Sequence, residues 1–124
     1  MDFFGNEDES AIFVKAMKFI LFIRENLDFI RSKESMNEII DLHRNWYKSL
    51  EERGIVCDGN GLEPDGLLIY EEGDQIKMGK LRDRIQGIGG YYIIDVKNEE
   101  MAIQIAKECP TYAMGDIIEL RPIL

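Results

Sequence analysis

The sequence has few of the residues that would assign the chain to a specialised class of protein. Its 124 residues include two cysteines, three prolines and one histidine. The two cysteines, Cys57 and Cys109, cannot form a disulfide framework, and neither belongs to a CxxC pair of the kind that binds zinc. We therefore expect two reduced thiols, no metal site and no cofactor.

Positive charge and long apolar runs are also scarce. Acidic residues outnumber basic ones by 24 to 15, which gives a formal net charge of −9, and such a field repels nucleic acid and anionic membranes. The longest apolar run, Phe19–Ile23, is far shorter than the roughly 20 residues of a membrane helix. The acidic amino terminus is unlike a signal peptide. These features predict a soluble, cytoplasmic protein without nucleic-acid or membrane partners.

The remaining composition, with 45% hydrophobic and 31% charged residues, is that of one globular domain with a hydrophobic core. Residues 1–16 begin with a polar, acidic stretch, so we predict a loose leader there and a domain over residues 17–124.

Hydrophobic periodicity divides that domain into strands and helices. Lys18–Arg24 is apolar on both alternating faces and predicts a buried strand. Ser35–Glu38 has the pattern of a capping box, so we expect a helix to begin there and to end at Gly54. The later predictions are a short strand at Ile55–Cys57, a turn at residues 58–61, a hairpin of Leu67–Tyr70 with Gln75–Met78, a strand at Tyr91–Val96, a helix capped by Asn98 and ended by Pro110, and a closing strand at Ile117–Leu120.

The order strand, helix, strand, hairpin, strand, helix, strand predicts an α+β fold of ferredoxin-like plan, with both helices on one face of an antiparallel sheet. The first strand and Tyr91–Val96 are apolar on both faces, however, and the helices cover only one. A large bare apolar face is rare on a monomer. We therefore expect a homodimer in which two sheets pack face to face.

Several segments together resemble one known family. They are Ile88–Ile94 with its double glycine, Ala102-Ile103, Ala106, Cys109-Pro110 and Ile118–Pro122. From about Met17 to the end, their order and spacing are similar to those of the YCII-related family. The resemblance implies a small protein with a dimeric α+β barrel fold, and it implies little about the reaction.

The sequence departs from the family pattern at two points. One branch carries Asp-Gly-Pro-Phe shortly before the double glycine, where this chain has residues 78–81, Met-Gly-Lys-Leu, so any role of that aspartate is absent. Another branch carries a histidine on the first helix and an aspartate after the second, proposed as an acid–base pair. His43 corresponds to that histidine, and counting from the second helix places Cys109 where the aspartate would be.

His43 is the first candidate catalytic residue, because imidazole titrates near neutral pH and can move protons beside a cleft. The alternative is a histidine that only packs in the core or an interface. Cys109 is a second candidate, as a thiolate partner of His43, but cysteine is also commonly buried without any chemical role. Asp83, between two arginines, is either a ligand contact or one half of a surface ion pair.

The candidate binding residues are Trp46, Gly89, Gly90 and Tyr91. The glycines would let a ligand approach the backbone, or would simply carry a kink before the strand. Trp46 would contact a ligand or belong to the core, and Tyr91 would face either a helix or the dimer interface.

These residues leave three hypotheses open. The first is a protein that binds a small metabolite in a cleft near His43, with weak acid–base chemistry of lyase or isomerase type. The second is a non-catalytic, ligand-sensing or protein-interaction dimer module. The third, a heme-degrading relative of the same fold, is disfavoured by the isolated, mid-helix position of His43.

Overall fold

The computed structural model describes residues 17–25, 33–63, 66–80 and 87–124. In chain order its elements are β1 Met17–Arg24, α1 Lys33–Glu52, β2 Val56–Gly61, β3 Leu67–Glu72, β4 Gln75–Lys80, β5 Ile88–Val96, α2 Glu99–Lys107, a single 3-10 turn Tyr112–Met114, and β6 Ile117–Pro122. The predicted leader and Asp83 lie outside the described residues. Within the described residues, no helix is long and apolar enough to cross a membrane.

Four strands form one antiparallel sheet in the order β2-β5-β1-β6, and β3 and β4 form a separate hairpin. In the large sheet Leu21 pairs with Tyr92 on one side and with Leu120 on the other. With α1 and α2 inserted between the strands, this is the ferredoxin-like α+β arrangement predicted from the sequence.

Both helices pack on one face of the four-stranded sheet and enclose the core. Every second residue of β1 and β5 points into it, as the alternation of a strand requires. The core comprises Phe19, Leu21, Ile23, Trp46, Leu50, Ile55, Tyr92, Ile94, Val96, Ala102, Ile105, Ala106 and Cys109. Because β1 and β5 are the two central strands, their inward side chains lie at the middle of this layer.

Local signals explain where the helices end and begin. Gly54 adopts a φ of 69° directly after α1, a conformation that costs glycine little. The side chain of Asn98 accepts a hydrogen bond from the backbone N–H of Met101 at 2.8 Å and so caps α2. Pro110 follows the end of α2, as predicted.

Three local predictions were wrong. The helix α1 begins at Lys33, so Ser35 lies inside its first turn and is not its cap; the Ser-x-x-Glu pattern is equally compatible with a helical interior. Residues 58–61 form no turn but continue β2, with Asp58 opposite Ile93. Pairing with β5 overrides the turn preference of these residues. The strand β5 likewise begins at Ile88 and includes the double glycine.

The second face of the large sheet carries apolar side chains on its central strands. Ile20 lies opposite Ile93, and Phe22 lies opposite Tyr91; all four are partly exposed. At the edge of this group, Arg24 on β1 forms a 2.7 Å ion pair with Glu119 on β6. We call Ile20, Phe22, Tyr91 and Ile93 the open-face cluster.

Candidate functional site

A cavity of about 490 Å³ opens between α1 and one end of the four-stranded sheet. Its lining residues are Ile23, Glu25, Met36, Ile39, Ile40, His43, Arg44, Tyr47, Lys48, Glu51, Gly59, Asn60, Gly61, Gly89, Gly90, Tyr92 and Asp116. The volume is in the range of small-molecule sites, which are concave, largely apolar and supplied with a few polar groups.

His43 projects from the middle of α1 into this cavity and contacts two other segments. Its Nδ1 is hydrogen bonded to the Tyr92 hydroxyl at 2.7 Å, and its Nε2 to the Thr111 hydroxyl at 3.2 Å. The rings of His43 and Tyr92 are stacked, with centroids 5.9 Å apart. The imidazole is therefore held in one orientation by β5 and by the turn before β6.

Tyr92 is buried in the core beneath the imidazole. Burial raises the pKa of its phenol above the ordinary value, because a phenolate would lose its hydration there. The hydroxyl therefore stays protonated at neutral pH and is available as a donor to His43 Nδ1.

Asp116 supplies a carboxylate that the sequence did not single out. It follows the 3-10 turn, is 4% exposed and lines the cavity. Its backbone N–H donates to the Thr111 carbonyl oxygen at 3.2 Å. Counting along the chain had placed Cys109 at the acidic position, but the aspartate that reaches the cavity lies seven residues later, after the turn. In the sequence, the Gly115-Asp116 pair before the closing strand is the pattern that could have indicated this aspartate.

The opposite wall is built from glycines where β2 and β5 meet. A Cβ at Gly90 would lie 3.0 Å from the Asn60 carbonyl oxygen, and one at Gly89 would overlap the Glu25 side chain. A Cβ at Gly59 would lie similarly close to the Tyr47 side chain. The double glycine thus makes room for a carboxylate beside the backbone. Glu25, at the end of β1, also went unnoticed in the sequence.

Three other predicted site residues, Cys109, Trp46 and Tyr91, lie away from the cavity lining. Cys109 is buried in the core, with its Sγ 3.6 Å from the Thr111 hydroxyl, and burial raises the pKa of its thiol. The Trp46 ring packs edge-on against the Tyr92 ring in the core, with the ring centroids 4.7 Å apart. Tyr91 points to the other face of the sheet.

On that face the Tyr91 hydroxyl donates to Asp58 at 3.3 Å, and the nearby Asp58 charge raises the pKa of Tyr91. Of the predicted residues, the structure therefore brings His43, Gly89 and Gly90 together around the cavity. Among the described residues, no three histidine, cysteine or acidic side chains are arranged to hold a metal ion.

The fold and site together define a ferredoxin-like α+β domain with a pocket between its first helix and its sheet. The family model of the YCII-related domain matches residues 17–124. The chain therefore belongs to the YCII-related family. No curated protein matches the chain.

Proposed function

We propose that this YCII-related protein binds a small metabolite in the cavity beside His43. The observation that carries the proposal is the cavity itself, about 490 Å³ in volume and lined by His43, Asp116 and the glycines of β2 and β5. Apolar walls from α1 would hold the body of the ligand, while a few polar groups would fix its orientation. A cytoplasmic location is part of the proposal, since Cys57 and Cys109 are both free thiols.

Acid–base chemistry of lyase or isomerase type is the activity that this arrangement would support. Both reactions move a proton to or from a carbon atom, which a positioned imidazole can do near neutral pH. The phenol of Tyr92 can donate to Nδ1, which leaves the Nε2 proton directed at Thr111. A ligand that displaces the 3.2 Å contact to Thr111 would gain access to Nε2.

A non-catalytic ligand-sensing module is the second candidate, and one observation favours it. Both ring nitrogens of His43 contact side chains of the fold itself, Tyr92 and Thr111. An imidazole used in this way links α1 to the sheet and to the turn before β6. In such a protein His43 would shape the pocket without exchanging protons with the ligand.

The binding proposal is tested by screening a library of small fragments against the 15N-labelled protein. We expect binders to shift the amide signals of Gly59, Gly61, Gly89 and Gly90, which border the cavity. His43→Ala should weaken the affinity of those fragments at least about tenfold, since it removes a side chain that lines the cavity and that can hydrogen-bond a ligand. Asn45→Ala, an exposed position on α1 outside the cavity lining, is the matched control.

Unchanged affinity in His43→Ala would remove His43 from the site, and a library without any binder would contradict the pocket proposal. Once a binder is found, product formation separates the two candidates. Turnover that disappears in His43→Ala supports acid–base catalysis, whereas saturable binding without product supports the sensing module.

We also propose a homodimer through the open sheet face. The open-face cluster places Ile20, Phe22, Tyr91 and Ile93 on adjacent strands, and a contiguous apolar surface of this kind commonly marks an interface. A second copy fits this surface because a two-fold axis would place the open-face cluster of one copy against the same cluster of the other copy.

Light scattering at micromolar concentration tests the dimer. The mass should be twice the 14.4 kDa of one chain. Ile20→Lys should reduce the mass to that of a monomer, because the dimer interface would bury an unpaired lysine charge. Ile103→Lys, at an exposed position on α2, should leave the mass unchanged. A monomer mass for the unaltered protein would contradict the proposed dimer.

A further inference from the structure

The cavity has an uneven distribution of charge between its inner end and its mouth. Asp116 is buried and Glu25 is partly buried, and both belong to the part of the cavity nearest the sheet. The cations Arg44 and Lys48 lie on the exposed surface of α1 at the mouth. Charges removed from water act more strongly than solvated ones, so among the described lining residues the two inner carboxylates act more strongly on a bound molecule than the cations at the mouth.

The pairing of β1 and β6 places the two acidic residues at the same end of the sheet. Arg24 lies opposite Ile117 in the antiparallel register, and Glu25 and Asp116 are each one residue further along. They therefore occupy neighbouring positions where these two strands end. Since alternate residues share a face, both lie on the same face as Ile23, the face covered by the helices.

Gly89 is the residue that admits one of these carboxylates. A side chain at position 89 would occupy the space of the Glu25 side chain. At the mouth, by contrast, Arg44 forms a 3.4 Å ion pair with Asp41, and both side chains are about two-thirds exposed, at 66% and 68%. Arg44 is thus a poor candidate for holding an anion in the cavity.

We infer that the cavity accepts a small organic cation, such as a primary amine with an apolar body. The inference rests on the proposed function and specifies its ligand class. The ammonium group would donate hydrogen bonds to the Glu25 and Asp116 carboxylates, and the apolar body would pack along Met36, Ile39 and Tyr47. Charge-assisted hydrogen bonds of this kind are stronger than neutral ones. The overall net charge of −9 acts in the same direction.

Three probes of similar shape and different charge test this inference. They are 2-phenylethylammonium, 2-phenylethanol and 3-phenylpropanoate, each titrated into the 15N-labelled protein while the glycine amides of the cavity are followed. We expect the ammonium to bind at least about tenfold more tightly than the carboxylate, with the alcohol between them.

Variants then assign the preference to the two carboxylates. Glu25→Gln and Asp116→Asn should each weaken ammonium binding about fivefold to tenfold and leave alcohol binding within twofold. Glu52→Gln, which removes an exposed carboxylate on α1 outside the cavity lining, should change neither. If Asp116→Asn does not fold, Glu25→Gln decides alone.

The outcomes distinguish this inference from the proposal of a metabolite pocket, on which it rests. Binding of the alcohol or the carboxylate as tight as that of the ammonium overturns the cation preference but retains a metabolite pocket. An ammonium preference that survives in both variants overturns the role of Glu25 and Asp116. Failure of all three probes to bind at millimolar concentration overturns the inference, and a fragment screen without binders would overturn the pocket as well.

Discussion

The four-stranded sheet and the β3–β4 hairpin are built from strands of similar composition but have different surroundings. Ile94, on β5, is 0% exposed beneath the helices, whereas Ile69, on β3, is 69% exposed. Ile69 is also directly opposite Met78, which is equally exposed. Apolar residues in a strand therefore do not by themselves specify burial; a covering layer is needed, and α1 and α2 supply it to one sheet only.

This difference has consequences for stability. A two-stranded hairpin is marginal in water unless its apolar side chains pack on something else. In the large sheet the buried side chains of β1 and β5 pack with residues of the helices, and these two central strands are each paired on both sides. We expect the hairpin to be the less stable unit, and the following predictions test that comparison from its largest expected effect to its smallest.

Truncating the same side chain in the two sheets should give the largest contrast. Ile94→Ala removes a fully buried side chain and should lower the free energy of unfolding by about 4 kcal/mol, because it leaves a cavity in the core. Ile69→Ala should cost about 0.5 kcal/mol or less. Urea denaturation at a fixed protein concentration measures both.

A loss at Ile69 comparable to that at Ile94 would contradict the comparison. It would mean that the apolar face of the hairpin is covered in solution, and repeating the denaturation at tenfold lower concentration would identify a second copy as the cover.

Hydrogen exchange should distinguish the two sheets without any substitution. Hydrogen-bonded amides of β1 and β5 are expected to exchange at least about a hundredfold more slowly than those of β3 and β4, since the hairpin can open locally while the core stays folded. Leu21 and Ile94 report on the sheet, and Leu68 and Tyr70, alternate residues of β3 whose amides face β4, report on the hairpin. Equal protection at the two pairs of residues would show that they open as one cooperative unit.

Sequence reasoning succeeded where a feature depends on neighbouring residues. The Glu71–Asp74 segment between two apolar runs predicted the hairpin, and Asn98 predicted the start of α2; both signals act within a few residues. It failed at residues 58–61, where pairing with β5, some 30 residues later, holds a glycine-rich stretch in a strand.

The candidate site was predictable only in part for the same reason. His43 was found because it is the single histidine, and the double glycine because it is a recognisable pattern. Glu25 and Asp116 are 91 positions apart, and the β1–β6 register places each of them one residue beyond the pair Arg24 and Ile117. Their proximity requires the register, which a single sequence does not specify.

Removing one hydroxyl beneath the cavity should have a smaller effect than truncating the core. Tyr92→Phe removes the 2.7 Å contact to His43 and should cost about 1 kcal/mol, the usual net value of such a bond. Tyr91→Phe is the matched control, because its 3.3 Å bond to Asp58 lies on the other face and is exposed. An equal cost in both variants, measured by urea denaturation, would argue against a special role for the Tyr92–His43 contact.

The smallest effect is expected in the helical layer that covers the large sheet. Arg53, just after α1, donates to both carboxylate oxygens of Glu108 at the end of α2, at 2.7 and 3.2 Å. Both groups are partly solvated, so Glu108→Gln should cost only about 0.5 kcal/mol at neutral pH. Asp41→Asn, which removes a single 3.4 Å contact with Arg44, should cost less.

The pH dependence gives this last prediction its sign. The hydrogen bond from Arg53 lowers the pKa of Glu108 below its ordinary value of 4.5. The contribution to folding is therefore complete above the ordinary pKa and disappears as the pH falls through the lowered one. The difference in unfolding free energy between the unaltered protein and Glu108→Gln should accordingly vanish in acid, and high salt should reduce it at neutral pH. A difference that persists in acid would mean that the charge pair of Arg53 and Glu108 is not the source of the stabilisation that Glu108 gives to the two helices over the sheet.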